Sequence, residues 1–175
     1  MNSHHSRLSP IQSSLAHIAK QNNVPAVSLI AITCHLPQGP GLVQQRLLDL
    51  IARLAVLQLS AVTDAGTAQT LVFQQHHWGD EDTATITQLR SERLLAATQA
   101  AASHVVLEIS EVAAQQYWVC FAAPACRVDQ QSLCFLLSYL LSPDDTAPDW
   151  VLDPVCYTDV SNWLNDIQQD DELAQ

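Results

Sequence analysis

Residues 116–141 read QYWVCFAAPACRVDQQSLCFLLSYLL. The stretch from Gln116 to Ala123 is rich in aromatic, β-branched and small apolar residues and reads as a strand. From Asp129 to Leu141 the pattern changes. Leu133, Leu136, Leu137 and Leu140 recur at helical spacing, so this part reads as an amphipathic helix. Ser142-Pro143-Asp144-Asp145 ends it. Tyr117, Trp118, Phe121 and those four leucines are the expected core between sheet and helix.

Upstream, His104–Val112 reads as a second strand, joined to the first by a short Ala-Ala-Gln connection. Thr83–Ala101 has helix-forming composition. Leu57–Val62 and Thr70–Gln75 look like strands, with Asp64-Ala65-Gly66 as a turn between them. Val43, Leu47, Leu50, Ile51 and Leu54 predict a helix over Leu42–Val56, after a break at Gly39-Pro40-Gly41. Val24–His35 reads as a strand. Leu8–Gln21 reads as a first helix, with Ser9 as N-cap and Pro10 at its first position. Tyr157–Gln169 reads as a last helix. The predicted fold is α/β (α+β): a two-layer sandwich with a mixed sheet flanked by helices. Only four glycines occur, so a Rossmann or P-loop phosphate site is excluded.

The chain has 175 residues, suiting one domain or one lobe of a larger fold. Seven basic and eighteen acidic residues give a formal charge of −11. That balance argues against nucleic acid or an anionic membrane surface as a partner, since both are held by clustered Lys and Arg. No apolar run approaches the roughly 20 residues of a membrane helix. All basic residues lie at or before Arg127, and residues 166–175 read as an acidic tail. The first seven residues lack the apolar core of a secretory signal and read as a disordered terminus. Cys34, Cys120, Cys126, Cys134 and Cys156 are odd in number and form no CxxC pair. They read as reduced, mostly buried thiols of a cytoplasmic protein.

The order of elements, with certain residues at their joints, resembles the condensation domains of nonribosomal peptide synthetases, in the chloramphenicol-acetyltransferase-like superfamily. The likeness is to the N-terminal lobe, over roughly residues 8–165. Leu8-Ser9-Pro10-Ile11-Gln12 resembles the opening Leu-Ser-Pro-x-Gln of that family. Asn23-Val24-Pro25-Ala26 leads into the first strand, and Gly39-Pro40-Gly41 precedes the first long helix, as in many members. Arg53 falls where an Arg-His-Glu motif begins, with Leu54 and Ala55 replacing its His and Glu. Tyr157, Asp159 and Trp163 match a Tyr-x-Asp-x-x-x-Trp pattern.

The departure is at the catalytic position. The family carries His-His-x-x-x-Asp-Gly between a strand and a helix, and the second His serves the attacking amine. Here the stretch is Pro124-Ala125-Cys126-Arg127-Val128-Asp129-Gln130. Pro124 and Ala125 replace the two histidines, Asp129 is kept, and Gln130 replaces Gly. A general base needs a lone pair within about 3 Å of the reacting amine, and an Ala methyl has none. The resemblance implies that Asp129 is structural and ion-paired with an arginine, here Arg53 or Arg127. A complete member has a second lobe, and the active-site tunnel runs between the two.

These readings converge on a truncated, non-catalytic relative: an interaction or scaffold module in nonribosomal peptide or hybrid polyketide biosynthesis. Its expected partner is a carrier protein, a synthetase module or a tailoring enzyme. Ala125, Cys126, Arg127, Gln130 and Gln131 are the expected partner surface. One alternative is part of a split acyl or peptidyl transferase with a separately encoded second lobe. Another is a homodimer, formed through the face the missing lobe would cover, with no assembly-line role.

His76-His77-Trp78-Gly79-Asp80-Glu81-Asp82 invites a competing reading. A loop could gather His77, Asp80 and Asp82 around Zn²⁺ or another divalent ion. The preferred reading is a polar loop whose acidic residues precede a helix, where negative charge is favoured. No metal or other cofactor is therefore expected. Ser132, Asp129 and His104 lack the Gly-x-Ser-x-Gly context of a hydrolase.

Overall fold

Every residue from Tyr117 to Pro124 is buried, because helices cover the sheet on both faces. The computed structural model describes residues 9–22, 26–54, 57, 71–143 and 163–167. In strand β4 (Gln116–Pro124) successive side chains alternate between faces. Tyr117, Val119, Phe121 and Ala123 join one core cluster, and Trp118, Cys120 and Ala122 join the other.

The first cluster lies under α2 (Pro40–Arg53) and α4 (Gln130–Leu141). Val43, Leu47 and Leu50 come from α2, and Leu133, Leu136, Leu137 and Leu140 from α4. The second lies under α3 (Thr83–Ala100), with Ala97 at its centre and Ile86, Leu89 and Leu94 partly buried around it. The seven predicted core residues are thus all buried, but Trp118 is turned away from the other six.

The elements follow the order predicted. α1 spans Pro10–Asn22, β1 Val27–His35, β2 Leu71–His77 and β3 Val105–Ala113. The four strands form one sheet in the order β1-β4-β3-β2. β1 pairs antiparallel with β4, and β4 antiparallel with β3. The β3–β4 hairpin turns through Gln115 at φ 60°, a left-handed conformation that non-glycine residues adopt at a cost.

Two local expectations are corrected. α2 starts at Pro40 rather than Leu42, because Gly39 takes φ 75° as the N-cap and Pro40 enters at the first helical position. β2 pairs in parallel with β3, reached through α3. Leu57, expected to open a strand, is helical and fully buried; residues 58–70, with the rest of that expected strand and the turn after it, lie outside the described residues.

Candidate functional site

The turn after β4 is built almost entirely from backbone. β4 ends at Pro124, which pairs with Val27 of β1. Its carbonyl accepts from Arg127 N at 2.9 Å and Val128 N at 3.1 Å, and Ala125 N donates to Ala26 O at 2.9 Å. Asp129 then caps α4, accepting from Ser132 N at 2.7 Å and from Ser132 Oγ at 3.2 Å. Gln130 has no positive φ, so the helix start does not require a glycine. Its Nε2 instead donates to Leu29 O on β1 at 3.1 Å. Gln130 therefore ties α4 to the neighbouring strand.

The predicted partner surface divides by burial. Gln130 and Gln131 are exposed, and Ala125 and Cys126 are half-buried. Arg127 is buried, contrary to expectation. The expected ion pair of Asp129 also does not form. Arg53 stands exposed in the last turn of α2, and among the described residues no salt bridge joins Asp129 to Arg53 or Arg127. The carboxylate is used as a cap because Ser132 N lies one turn away, where an orphan helix donor must be satisfied. Asp129→Ala is expected to cost about 1 kcal/mol. A differential scanning calorimetry melt should then fall by about 2–4 °C.

Sequence reasoning missed a buried arginine, Arg46 of α2. It is 4% exposed, and its Nη1 donates to the carbonyls of Tyr139 and Ser142 at the C-terminal end of α4. Its guanidinium also lies over the Tyr139 ring, 5.7 Å from the centroid. α4 has no basic residue in its own last turn, so Arg46 supplies the positive charge that a helix C-terminus favours. The sequence signal was present: Arg46 stands in the same helical stripe as Val43, Leu47 and Leu50.

Trp163 lies in the helical residues 163–167 and is 62% exposed. Tyr157 and Asp159, its partners in the pattern, lie outside the described residues, as does Cys156. The four described cysteines are free thiols, and Cys134 is exposed rather than buried.

The opposite face of the sheet holds a polar layer beneath α3. Glu108, 2% exposed, receives a two-pronged bond from Arg93, with Nε to Oε2 at 2.8 Å and Nη2 to Oε1 at 2.9 Å. Burial, with Glu108 adding to it, pushes the neighbouring Cys120 thiol up to about 12, so it stays protonated. One step along the strands, His76 and Ser110 are register partners on β2 and β3. His76 Nε2 and Ser110 Oγ are both closed off from solvent without a partner. His76 stacks on Trp78 at 6.2 Å, and Trp78 packs on Trp118 at 5.5 Å.

Burial holds His76 below its ordinary value of 6.5, Arg93 adds to this, and Glu108 opposes it. The unfolded chain therefore takes up this proton more readily than the folded one. The stabilising contribution is complete above the unfolded pKa and is lost as pH falls through 6.5 toward the folded value. Wild type is expected to lose more melting temperature than His76→Gln between about pH 7.5 and pH 5.5. Parallel slopes in a calorimetric pH series would contradict this.

The three residues of the metal reading are not brought together. His77 Nδ1 lies 3.0 Å from Glu111 Oε2, and its Nε2 lies 3.8 Å from Asp80 Oδ2. Asp82 instead caps α3, accepting from Thr85 N at 2.8 Å. That bond also holds its carboxyl below the usual range. Among the described residues no group of three such side chains is placed to hold a metal ion. Nor is any described helix long and apolar enough to cross a membrane.

Neither a protein-family model nor a curated protein sequence matches the chain. Solved structures do. Holo-AB3403, a four-domain nonribosomal peptide synthetase bound to AMP and glycine, matches with a TM-score of 0.65 and 14% identity, over 94% of this chain and 13% of that one. The condensation domain that mediates chain release from the enacyloxin polyketide synthase gives 0.63 and 15%, over 93% and 35%. The starter condensation domain of rhizomide synthetase RzmA gives 0.57 and 12%, over 89% and 44%. The chain therefore has the fold of a condensation domain over less than half the length of these chains, the span of a single lobe.

Proposed function

We propose that this protein is a non-catalytic relative of condensation domains that acts as an interaction or scaffold module in nonribosomal peptide or hybrid polyketide assembly. Its partner is a carrier protein, a synthetase module or a tailoring enzyme. One observation carries the reading: Ala125 stands in the turn between β4 and α4, where the resemblance implies the histidine that serves the amine. A methyl group can neither accept nor donate the proton. The neighbouring Cys126 thiol is held above its usual pKa by burial, which disfavours it as a replacement base. The docking surface consists of exposed Gln130 and Gln131 with half-buried Ala125 and Cys126. The shared fold with condensation domains of assembly-line enzymes supports the setting.

A second reading is a component of an acyl or peptidyl transferase that works with a complementing lobe; the likeness covers 13–44% of each solved chain. One experiment separates the two. The chain is mixed with donor and acceptor carrier proteins loaded with an acyl group and an amino acid. The first reading predicts binding, with crosslinks at Gln130 and Gln131, and no amide product. Amide formation by the wild-type chain, alone or with a complementing lobe, would support the second reading and reject the first. Crosslinks confined to the α3 face would reject the proposed surface.

A further inference from the structure

Arg127 is a buried cation that no acidic side chain neutralises among the described residues. The residue is 8% exposed, and its Nη1 is shut off from solvent with no hydrogen-bond acceptor. Among the described residues no carboxylate forms an ion pair with it. The titratable group that faces it is the Cys126 thiol, which burial holds above its usual pKa and therefore neutral. An arginine cannot shed its proton near neutral pH to escape the penalty, as a buried lysine or histidine can. A buried charge without a partner is strongly unfavourable. Nor does the chain lack carboxylates, having eighteen acidic residues against seven basic ones. Among the described residues none of these acids is paired with it.

The surroundings favour an anion. Arg127 lies in the turn that leads into α4, whose first helical residue is Gln130. Asp129 is already committed to Ser132 and does not compete for Arg127. Ala125 and Cys126 are only half-buried, which leaves the turn reachable from solvent. We infer that Arg127 anchors an anion-binding site at the β4–α4 turn, one that takes the carboxylate or phosphate group of a small molecule. The planar guanidinium presents paired donors that match either group. This site does not depend on the assembly-line reading.

The test measures melting of the wild-type chain and of Arg127→Met in chloride, in inorganic phosphate and in acetate at matched ionic strength. Wild type is expected to gain about 5–11 °C over chloride in at least one anion at a hundredfold excess over its dissociation constant. A gain in phosphate alone assigns a phosphate ligand, and a gain in acetate alone assigns a carboxylate. Arg127→Met is expected to melt at least as high as wild type in chloride, because the unpaired charge is gone, and to lose the anion response. If Arg127→Met does not fold, Arg127→Lys replaces it, with anion affinity expected to fall at least about fivefold as the paired donors are lost. The inference is overturned if neither anion stabilises wild type beyond chloride, or if the response survives in the Arg127 variant.

Discussion

Arg93→Met is expected to destabilise the protein by about 3 kcal/mol, more than loss of the same side chain at a free surface would cost. The reason is the partner left behind. Glu108 lies on β3 beneath α3 at 2% exposure, and both its oxygens are bonded to Arg93. Without Arg93 its charge faces Val106, Cys120 and Ala97 with no donor in place of the guanidinium. The reverse variant is not equivalent. The Arg93 side chain is 24% exposed, so after Glu108→Met its guanidinium can swing toward water, and the loss should be smaller. The double variant, Arg93→Met with Glu108→Met, removes both charges and should return close to wild type. Urea denaturation of the four proteins gives the coupling directly. Additive single losses would mean that the bonded pair contributes no more than its separate parts.

That ion pair also marks where the sequence stopped being legible. The boundaries of α3, β3, β4 and α4 follow from composition and periodicity within a residue or two, because local pattern sets each, with caps such as Asp129 at the helix starts. In β3, Val105, Leu107 and Ile109 alternate with Val106, Glu108 and Ser110. A strand of that pattern reads as covered on one face and wet on the other. The structure covers both faces, so Glu108 and Ser110 are as buried as the aliphatic residues between them. The contrary signal lay in β4, whose run from Tyr117 to Ala123 is apolar at every position and so had to be covered on both sides. Its neighbour in the sheet inherits that cover. The partner of Glu108 was beyond reach for another reason. Arg93 lies on a helix that joins two parallel strands, and sequence spacing does not say which strand neighbours which.

The turn at residues 124–130 was legible in the opposite sense. Resemblance located it, and the structure places residues 124–130 between β4 and α4, but the roles expected of Asp129 and Arg127 are not the ones these side chains take. Asp129 was assigned a salt bridge and forms a cap, and Arg127 was assigned to the surface and is buried. A motif position fixes where a residue sits along the chain. What its side chain meets depends on the neighbours packed around it, and Pro124, Ala125 and Gln130 all differ from the family pattern.

Phe121→Ala should have the largest effect of any single change, about 3–5 kcal/mol. Phe121 is fully buried and lies on β4, between Ile30 of β1 and Leu107 of β3. It belongs to the cluster in which α2 and α4 meet the sheet. Removing the ring opens a cavity lined by residues of strands and helices that cannot all move inward together, so collapse cannot recover the lost contacts. Domains of this size are stable by about 5–15 kcal/mol, so the variant should be partly unfolded at modest urea concentrations. Phe121→Leu, which keeps most of the volume, should cost far less. The consequence reaches the turn, since β4 runs from Phe121 directly to Pro124 and carries Ala125 and Arg127 behind it. In the folded fraction of Phe121→Ala, any anion response at Arg127 should weaken along with stability. A variant that melts like wild type would instead mean that the other face, through Trp118 and α3, holds the sheet without help from this core.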